Sequence, residues 1–368
     1  MKRLDPFLLE DFHATYEHRS GLLNLATSDA EYWKLSQVRD PAAGATGELD
    51  LLDLRYPDLA PLNQVLTRFA VRVPDSVVIP TSGAGEAIFL ALGALGFRLG
   101  GVLSVAVPRP AFGAFEGVVN ALGHRVEPYY YRPQHGWLLD TDRLLECART
   151  CDVVVVNSPH NPTGAVLDPD LLSTVGQTLR DRGRYLLSDE VFLLPEDTAF
   201  QSPLDATALA VGSLSKLFGM PGLRLGWLVT PRELVAPVKT LQQYTTLSLN
   251  AFAAGLGASV VPRLAALGRA AHLDKNRQIL HAWAKRNSSI VGLSSCEAGT
   301  TTILEVHIAA TEQTVFDKLL AAGVLLAPGR CFGVAAARPW FRLGYGGATD
   351  VLEDALRTIE RVLTGDLS

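Results

Sequence analysis

Two stretches carry the fold, VVVVNSPHNPTG (Val153–Gly164) and LAVGSLSKLFGMPGLRLGWLV (Leu209–Val229). Each opens on an apolar run without polar alternation, the pattern of a strand covered on both faces. Each then breaks into Ser, Asn, Pro and Gly, which stop a strand and turn the chain. Outward from these, short apolar runs recur at Val77–Ile79, Val102–Val107 and Tyr185–Leu187. Helix-compatible stretches lie among them at Gly85–Leu95, Phe112–Leu122 and Pro169–Arg182, the last opened by Asp168 as N-cap and Pro169 in the first turn. Short apolar strands alternating with helices predict an α/β chain with a mostly parallel sheet. Beyond about residue 250 the texture changes to a long Ala/Leu/Arg-rich helix candidate (Phe252–Asn287), strand candidates at Thr301–Ile308 and Trp340–Tyr345, and helices near Gln313–Ala322 and Val351–Leu363. The reading is a large domain over residues 51–250 and a smaller α+β domain formed by residues 1–50 and 251–368, with Ser36–Asp50 as a surface loop.

Composition narrows the function. The 368 residues are 48% hydrophobic and carry 33 Lys+Arg against 38 Asp+Glu, a net charge of −5 with no long basic run, which argues against a nucleic-acid groove. The opening MKRLDPFLLEDF mixes acids and Pro into its apolar residues, and no stretch of about 18 apolar residues occurs, so neither a signal peptide nor a membrane span is predicted. The expectation is a cytoplasmic protein. Cys147, Cys151, Cys296 and Cys331 make neither a disulfide framework nor a metal site and are read as reduced structural thiols.

In an open parallel sheet, ligands gather where the strands end and helices begin. The first strand runs into TSGAGEAI (Thr81–Ile88), whose small residues open a helix to an anion or simply make a tight turn; it lacks the Lys of a Walker loop and the third Gly of a dinucleotide fingerprint. NSPHNPTG holds amide side chains at the sheet edge or is an Asx/Pro turn, with His160 a packed residue rather than a base. Asp189 ends the Tyr185–Leu187 strand as a buried carboxylate that needs a cation. Lys216, flanked by Leu217 and Phe218 and preceded by Ser213 and Ser215, reads as an enclosed lysine whose amine is made nucleophilic by lost solvation. A phosphate cradle, an amide donor, a buried carboxylate and an enclosed lysine together describe a site for an aldehyde cofactor with a pyridine ring.

On NSPHNPTG and SLSKLFGMPGLRLGW the chain resembles the fold-type I pyridoxal-5′-phosphate enzymes of the class I/II aminotransferase family, over nearly its whole length. The resemblance implies that Lys216 is the Schiff-base lysine, Asp189 the partner of the pyridine nitrogen and Asn161 the hydrogen-bond donor to the ring 3′-oxygen. It places Ala84, Gly85, Ser213, Ser215 and Arg224 around the phosphate and stacks Phe112 on the ring. Arg342 would bind the substrate α-carboxylate, with Asn161 beside it, and Tyr56 would reach the phosphate of the neighbouring subunit in a homodimer. One position departs from the pattern: Phe192 stands where typical aminotransferases of the family have Tyr, which removes a hydrogen bond to the 3′-oxygen. Phe there is similar to the threonine-phosphate decarboxylases, and the capreomycidine synthases look alike around NSPHNPTG, Tyr244–Leu249 and Ala327–Gly333.

What the resemblance implies is transfer of an amino group between an α-amino acid and a 2-oxo acid; the alternative is lyase or cyclase chemistry, by elimination, replacement or decarboxylation. Transfer is the expected function. His13, His18, Tyr32 and Trp33 could line the site but carry no assigned role at this level, and no charged cluster in Gly21–Trp33 or Tyr244–Asn250 marks a side-chain pocket.

Overall fold

The computed structural model describes residues 5–38, 55–193, 207–267 and 269–365. Of the expected surface loop, Ser36 to Val38 belong to the short helix Leu35–Val38, and the remainder to Asp50 lies outside the described residues. The N-terminal segment contributes a two-residue strand, β1 (Leu23–Asn24). The main sheet is built from β2 (Ser76–Thr81), β3 (Ser104–Arg109), β4 (Arg125–Arg132), β5 (Leu138–Leu139), β6 (Val153–Asn157), β7 (Tyr185–Asp189), β8 (Ala208–Ser213) and β9 (Gly226–Pro231), in the order β2-β9-β8-β7-β6-β3-β4-β5.

The unbroken apolar runs mark the centre of this sheet: β6, β7 and β8 are buried at every position, with helices on both faces. β4, β3, β6, β7 and β8 run parallel, whereas β9 is antiparallel to both β8 and β2, so the parallel pattern does not extend to Leu225–Val229. The reason is local. Segment 214–225 holds Lys216 and only a 3₁₀ turn (Pro221–Leu223), so without a crossover helix the chain returns beside β8, pairing Ser213 with Gly226. β4, RVEPYYYR, has no counterpart in the sequence reading because Pro128 and three charged residues break its pattern; it is flanked by only a two-residue strand on its outer side.

The remaining strands are β10 (Val291–Leu293), β11 (Thr301–Val306), β12 (Val324–Leu325), β13 (Ala327–Pro328) and β14 (Trp340–Gly344). Four form an antiparallel sheet in the order β10-β11-β14-β13, while β12 pairs in parallel with β1. Leu9, Phe12 and Leu25 are buried with Trp283, Ile303, Phe341 and Leu356, which ties the N-terminal segment to the C-terminal sheet. The single long helix expected at Phe252–Asn287 is broken, into Ala251–Val260, a 3₁₀ stretch Val261–Leu267 containing Pro262, and Arg269–Arg286. The first of these packs with Leu62, Leu66 and Trp227 against the main sheet, and that core runs on to Leu273. Among the described residues, no single helix is long and apolar enough to cross a membrane. All four cysteines are free.

Candidate active site

The parallel strands β6, β7 and β8 end side by side, with Asn157 paired to Asp189 and Asp189 to Val211. Their last residues open into a cavity of about 460 Å³. Ala84, Gly85, Phe112, Asn161, Asp189, Phe192, Ser213, Ser215, Lys216, Arg224 and Arg342 all line it, so residues spread over the whole chain converge on one hollow. Tyr56 does not reach it: its side chain is 76% exposed, beside a surface hollow with Arg55 and Asn250.

Asp189 is buried at the floor, where its carboxylate accepts from the Val191 N–H at 3.1 Å. Burial, with a smaller push from Glu190, raises its pKa to about 7, and among the described residues no cation is in ion-pair contact with it. Asn157 fixes the neighbouring turn: its Nδ2 donates to the Asp189 carbonyl at 3.1 Å and its Oδ1 accepts from the Asn161 N–H at 2.8 Å. His160 is buried, stacked on Tyr131 at 3.9 Å between ring centroids and bonded through Nδ1 to the Thr163 hydroxyl at 2.8 Å. Desolvation lowers its pKa to about 3, which makes it a neutral packing residue, as expected from the sequence.

Arg342, on β14, is 1% exposed. It donates from Nη1 to Asn161 Oδ1 at 3.2 Å and from Nη2 to the Ala26 carbonyl. Among the described residues its Nε has no partner, and burial lowers its pKa to about 10. A guanidinium so buried, with no carboxylate in ion-pair contact among the described residues, is a ready site for an anion. Because Asn161 accepts from Arg342 through its carbonyl oxygen, its amide N–H groups remain available to the cavity.

The helix Ala84–Leu99 starts at Gly83 without a side-chain cap, leaving first-turn N–H groups at the cavity wall. Arg224, in the left-handed region at φ 52°, lies over this start and donates to the Ser82 carbonyl at 3.3 Å and the Pro221 carbonyl at 3.1 Å. The space between is closed to any side chain. A Cβ at Gly83 would stand 2.4 Å from Arg224 Nη2, and one at Gly226 would stand 2.6 Å from the Gly83 carbonyl carbon.

Lys216 differs from its sequence reading. It is not walled in by apolar residues: its side chain is 31% exposed and Nζ donates to Asp29 Oδ1 at 2.8 Å. Asp29 and His13, which also lines the cavity, have no sequence assignment because they come from an N-terminal segment brought in from far along the chain. No motif marks them. His13 Nε2 faces Arg342 Nη2 at 3.4 Å, and burial beside two cations lowers its pKa to about 4, so it is neutral.

The family pattern described as aminotransferase class I and II matches residues 47–359. The capreomycidine synthase of Streptomyces vinaceus is 32% identical over 355 residues, covering 92% of this chain and 89% of that protein. The valine–pyruvate aminotransferase of Mycobacterium tuberculosis is 30% identical over 298 residues, with 78% and 75% covered. A PLP-dependent aminotransferase from Streptococcus suis shares the fold at a TM-score of 0.85, with 21% identity and 98% of each chain covered. The chain therefore belongs to the class I and II aminotransferase family, as a pyridoxal-5′-phosphate-dependent aminotransferase of fold type I.

The cavity fits that cofactor on its own chemistry. A buried carboxylate without a cation suits a pyridinium nitrogen, and an uncapped helix start under a guanidinium suits a phosphate monoester. The amine of Lys216 opens into the same space.

Proposed function

We propose that this cavity exchanges an amino group between an α-amino acid and a 2-oxo acid, with Lys216 as the point of covalent attachment. The observation that carries the reading is the convergence of Lys216, Asp189, Asn161, Arg224 and Arg342 on one hollow of about 460 Å³. Bound there, the aldehyde cofactor supplies an electron sink that acidifies the Cα–H of the amino acid it carries. Asp189 keeps a proton on the ring nitrogen, because a carboxylate this buried is stable only against a cation. Asn161 would donate from Nδ2 to the ring oxygen, Phe112 would cover the ring, and Ala84, Gly85, Ser213, Ser215 and Arg224, which line the same cavity, would hold the phosphate. Arg342 binds the α-carboxylate, whose negative charge supplies the partner that its buried guanidinium lacks. Lys216 Nζ, when free as an amine, would take the proton from Cα and return it to the cofactor's aldehyde carbon, across the nitrogen from Cα.

We propose further that the active unit is a homodimer in which Tyr56 reaches the neighbouring site. We propose a large cofactor-binding domain, residues 51–250, whose core also takes in the helix Ala251–Val260 and Leu273, and a small domain drawn from the rest of residues 1–50 and 251–368.

A second reading is lyase or cyclase chemistry on the same residues. Phe192 favours it: the ring is buried in the cavity wall and offers no hydroxyl to the ring oxygen, leaving that contact to Asn161. The similarity to a capreomycidine synthase supports the same reading. The test is stoichiometry. Given an amino acid alone, a transferase forms one equivalent of oxo acid per protomer and stops until an acceptor oxo acid is added. Continued release of ammonia, carbon dioxide or a cyclised product without acceptor overturns transfer in favour of the second reading.

A further inference from the structure

Asp29 has no task in either reading, yet it touches the central lysine. Its Oδ1 accepts from Lys216 Nζ at 2.8 Å, and its Oδ2 accepts from the Tyr32 hydroxyl at 3.1 Å. The Asp29 side chain is 11% exposed. The segment that carries it is strapped onto the lysine loop: the Ala30 N–H donates to the Lys216 carbonyl at 2.9 Å and the Trp33 N–H to the Gly219 carbonyl at 3.2 Å. From the other side, the Thr300 hydroxyl holds the Ser28 carbonyl at 2.6 Å and the Glu31 N–H donates to the Gly346 carbonyl at 2.9 Å. Contact between strap and loop is close enough that a Cβ at Gly219, which has φ +62°, would stand 2.2 Å from the Glu31 oxygen. An exposed ion pair must order two mobile side chains; here the carboxylate is already fixed, so the pair keeps more of its Coulomb attraction.

The other charged or titratable groups facing the lysine do not replace Asp29. Asp189, from β7, is within electrostatic range but is itself driven towards its neutral form, and His13, from the helix Leu8–Tyr16, is neutral. Arg342 on β14 and Arg224 are cations that line the same space, and Glu10 and Glu17 lie at its rim. Among the described residues, Asp29 is the charged partner in contact with Nζ.

We propose that Asp29 is a positioning residue for Lys216, holding Nζ inside the cavity of the cofactor-free protein through the 2.8 Å ion pair. The proposal rests on Lys216 being the attachment point. Covalent capture requires the ammonium to give up one proton; Nζ then bonds to the aldehyde carbon and the aldehyde oxygen leaves as water. The ion pair with Asp29 must open before capture, so removing the Asp29 charge changes how capture depends on pH.

The test is uptake of pyridoxal 5′-phosphate by the cofactor-free protein, followed by absorbance across pH, in the wild type, Asp29→Asn and Asp29→Glu. In Asp29→Asn the midpoint of the rate–pH profile is expected to fall by about one unit, the scale on which a close opposite charge acts. Asp29→Glu, which keeps the charge, retains a midpoint near the wild-type value and serves where the Asn variant does not fold. A folded Asp29→Asn protein with an unmoved midpoint, or an Asp29→Glu midpoint displaced downward as far as expected for Asn, overturns the proposal. Borohydride reduction and peptide mapping on the same samples separate the two claims: label on Lys216 with an unmoved midpoint refutes only Asp29, whereas label on another lysine refutes the attachment point.

Discussion

Asp189 states the design of the site at the residue scale, because its cost and its use have the same origin. A carboxyl group buried at a strand end is unstable when ionised, which is why its pKa rises to about 7 in the cofactor-free protein. Between about pH 4 and about pH 7 the unfolded chain has released this proton while the folded chain keeps it, so the group's contribution to stability is complete below pH 4 and is lost as pH rises through 7. Chemical denaturation of the cofactor-free protein across that range should show stability falling with pH from this group. Asp189→Asn should flatten the fall relative to the wild type. Loading the cofactor should also reduce it, since a pyridinium nitrogen stabilises the ionised carboxylate. A wild-type–variant difference that does not change with pH would remove the electrostatic account of this residue. Arg342 presents the complementary case: a buried guanidinium held by Asn161 and the Ala26 carbonyl, short of an anion until substrate arrives.

At the scale of elements, the antiparallel turn-back of β9 shapes the phosphate end of the cavity. Had a helix crossed over after β8, Lys216 and Arg224 would be separated by that helix. The helix-free segment 214–225 instead keeps both at the sheet end, and the pairing of Thr81 with Gly226 sets the start of β9 against the turn into the helix Ala84–Leu99. Glycine is required there by proximity: a methyl group at Gly226 would press on the Gly83 backbone at 2.6 Å and 2.8 Å and on the Ala84 nitrogen at 2.9 Å. Gly226→Ala is therefore expected to cost about 1–3 kcal/mol of stability, the usual range for overpacking, and to weaken retention of pyridoxal 5′-phosphate by moving the helix start. Calorimetry and equilibrium dialysis measure the two effects. Lost stability with unchanged retention would show that this contact supports the sheet and not the phosphate cradle.

The whole molecule brings an N-terminal segment, three parallel strand ends and a C-terminal strand together around one hollow. Tyr56 is left out, exposed on the single chain. If it serves a neighbouring site, sedimentation should show a dimer at micromolar concentration, and Tyr56→Phe should keep that dimer while weakening cofactor retention by about 0.5–1.5 kcal/mol, one hydrogen bond's worth. A fully active monomer would rule the arrangement out.

The sheet core and most of the site are legible in the order of the amino acids. Unalternating apolar runs bury both faces of β6, β7 and β8, and the residues just after such a run must sit at the sheet end, so Asn161, Asp189 and Lys216 fall together without any knowledge of packing. Three features are not legible in that pattern. The direction of β9 is set by the lack of a crossover helix after β8, and β4 forms despite Pro128 because β3 offers it a pairing edge. Asp29 and His13 reach the cavity by packing of the N-terminal segment against the C-terminal sheet and the lysine loop, contacts between residues roughly 190 to 330 positions apart that leave no local pattern. Periodicity records which face of an element is covered; it carries no record of which distant segment covers it, and the lysine's ion pair is a contact of that second kind.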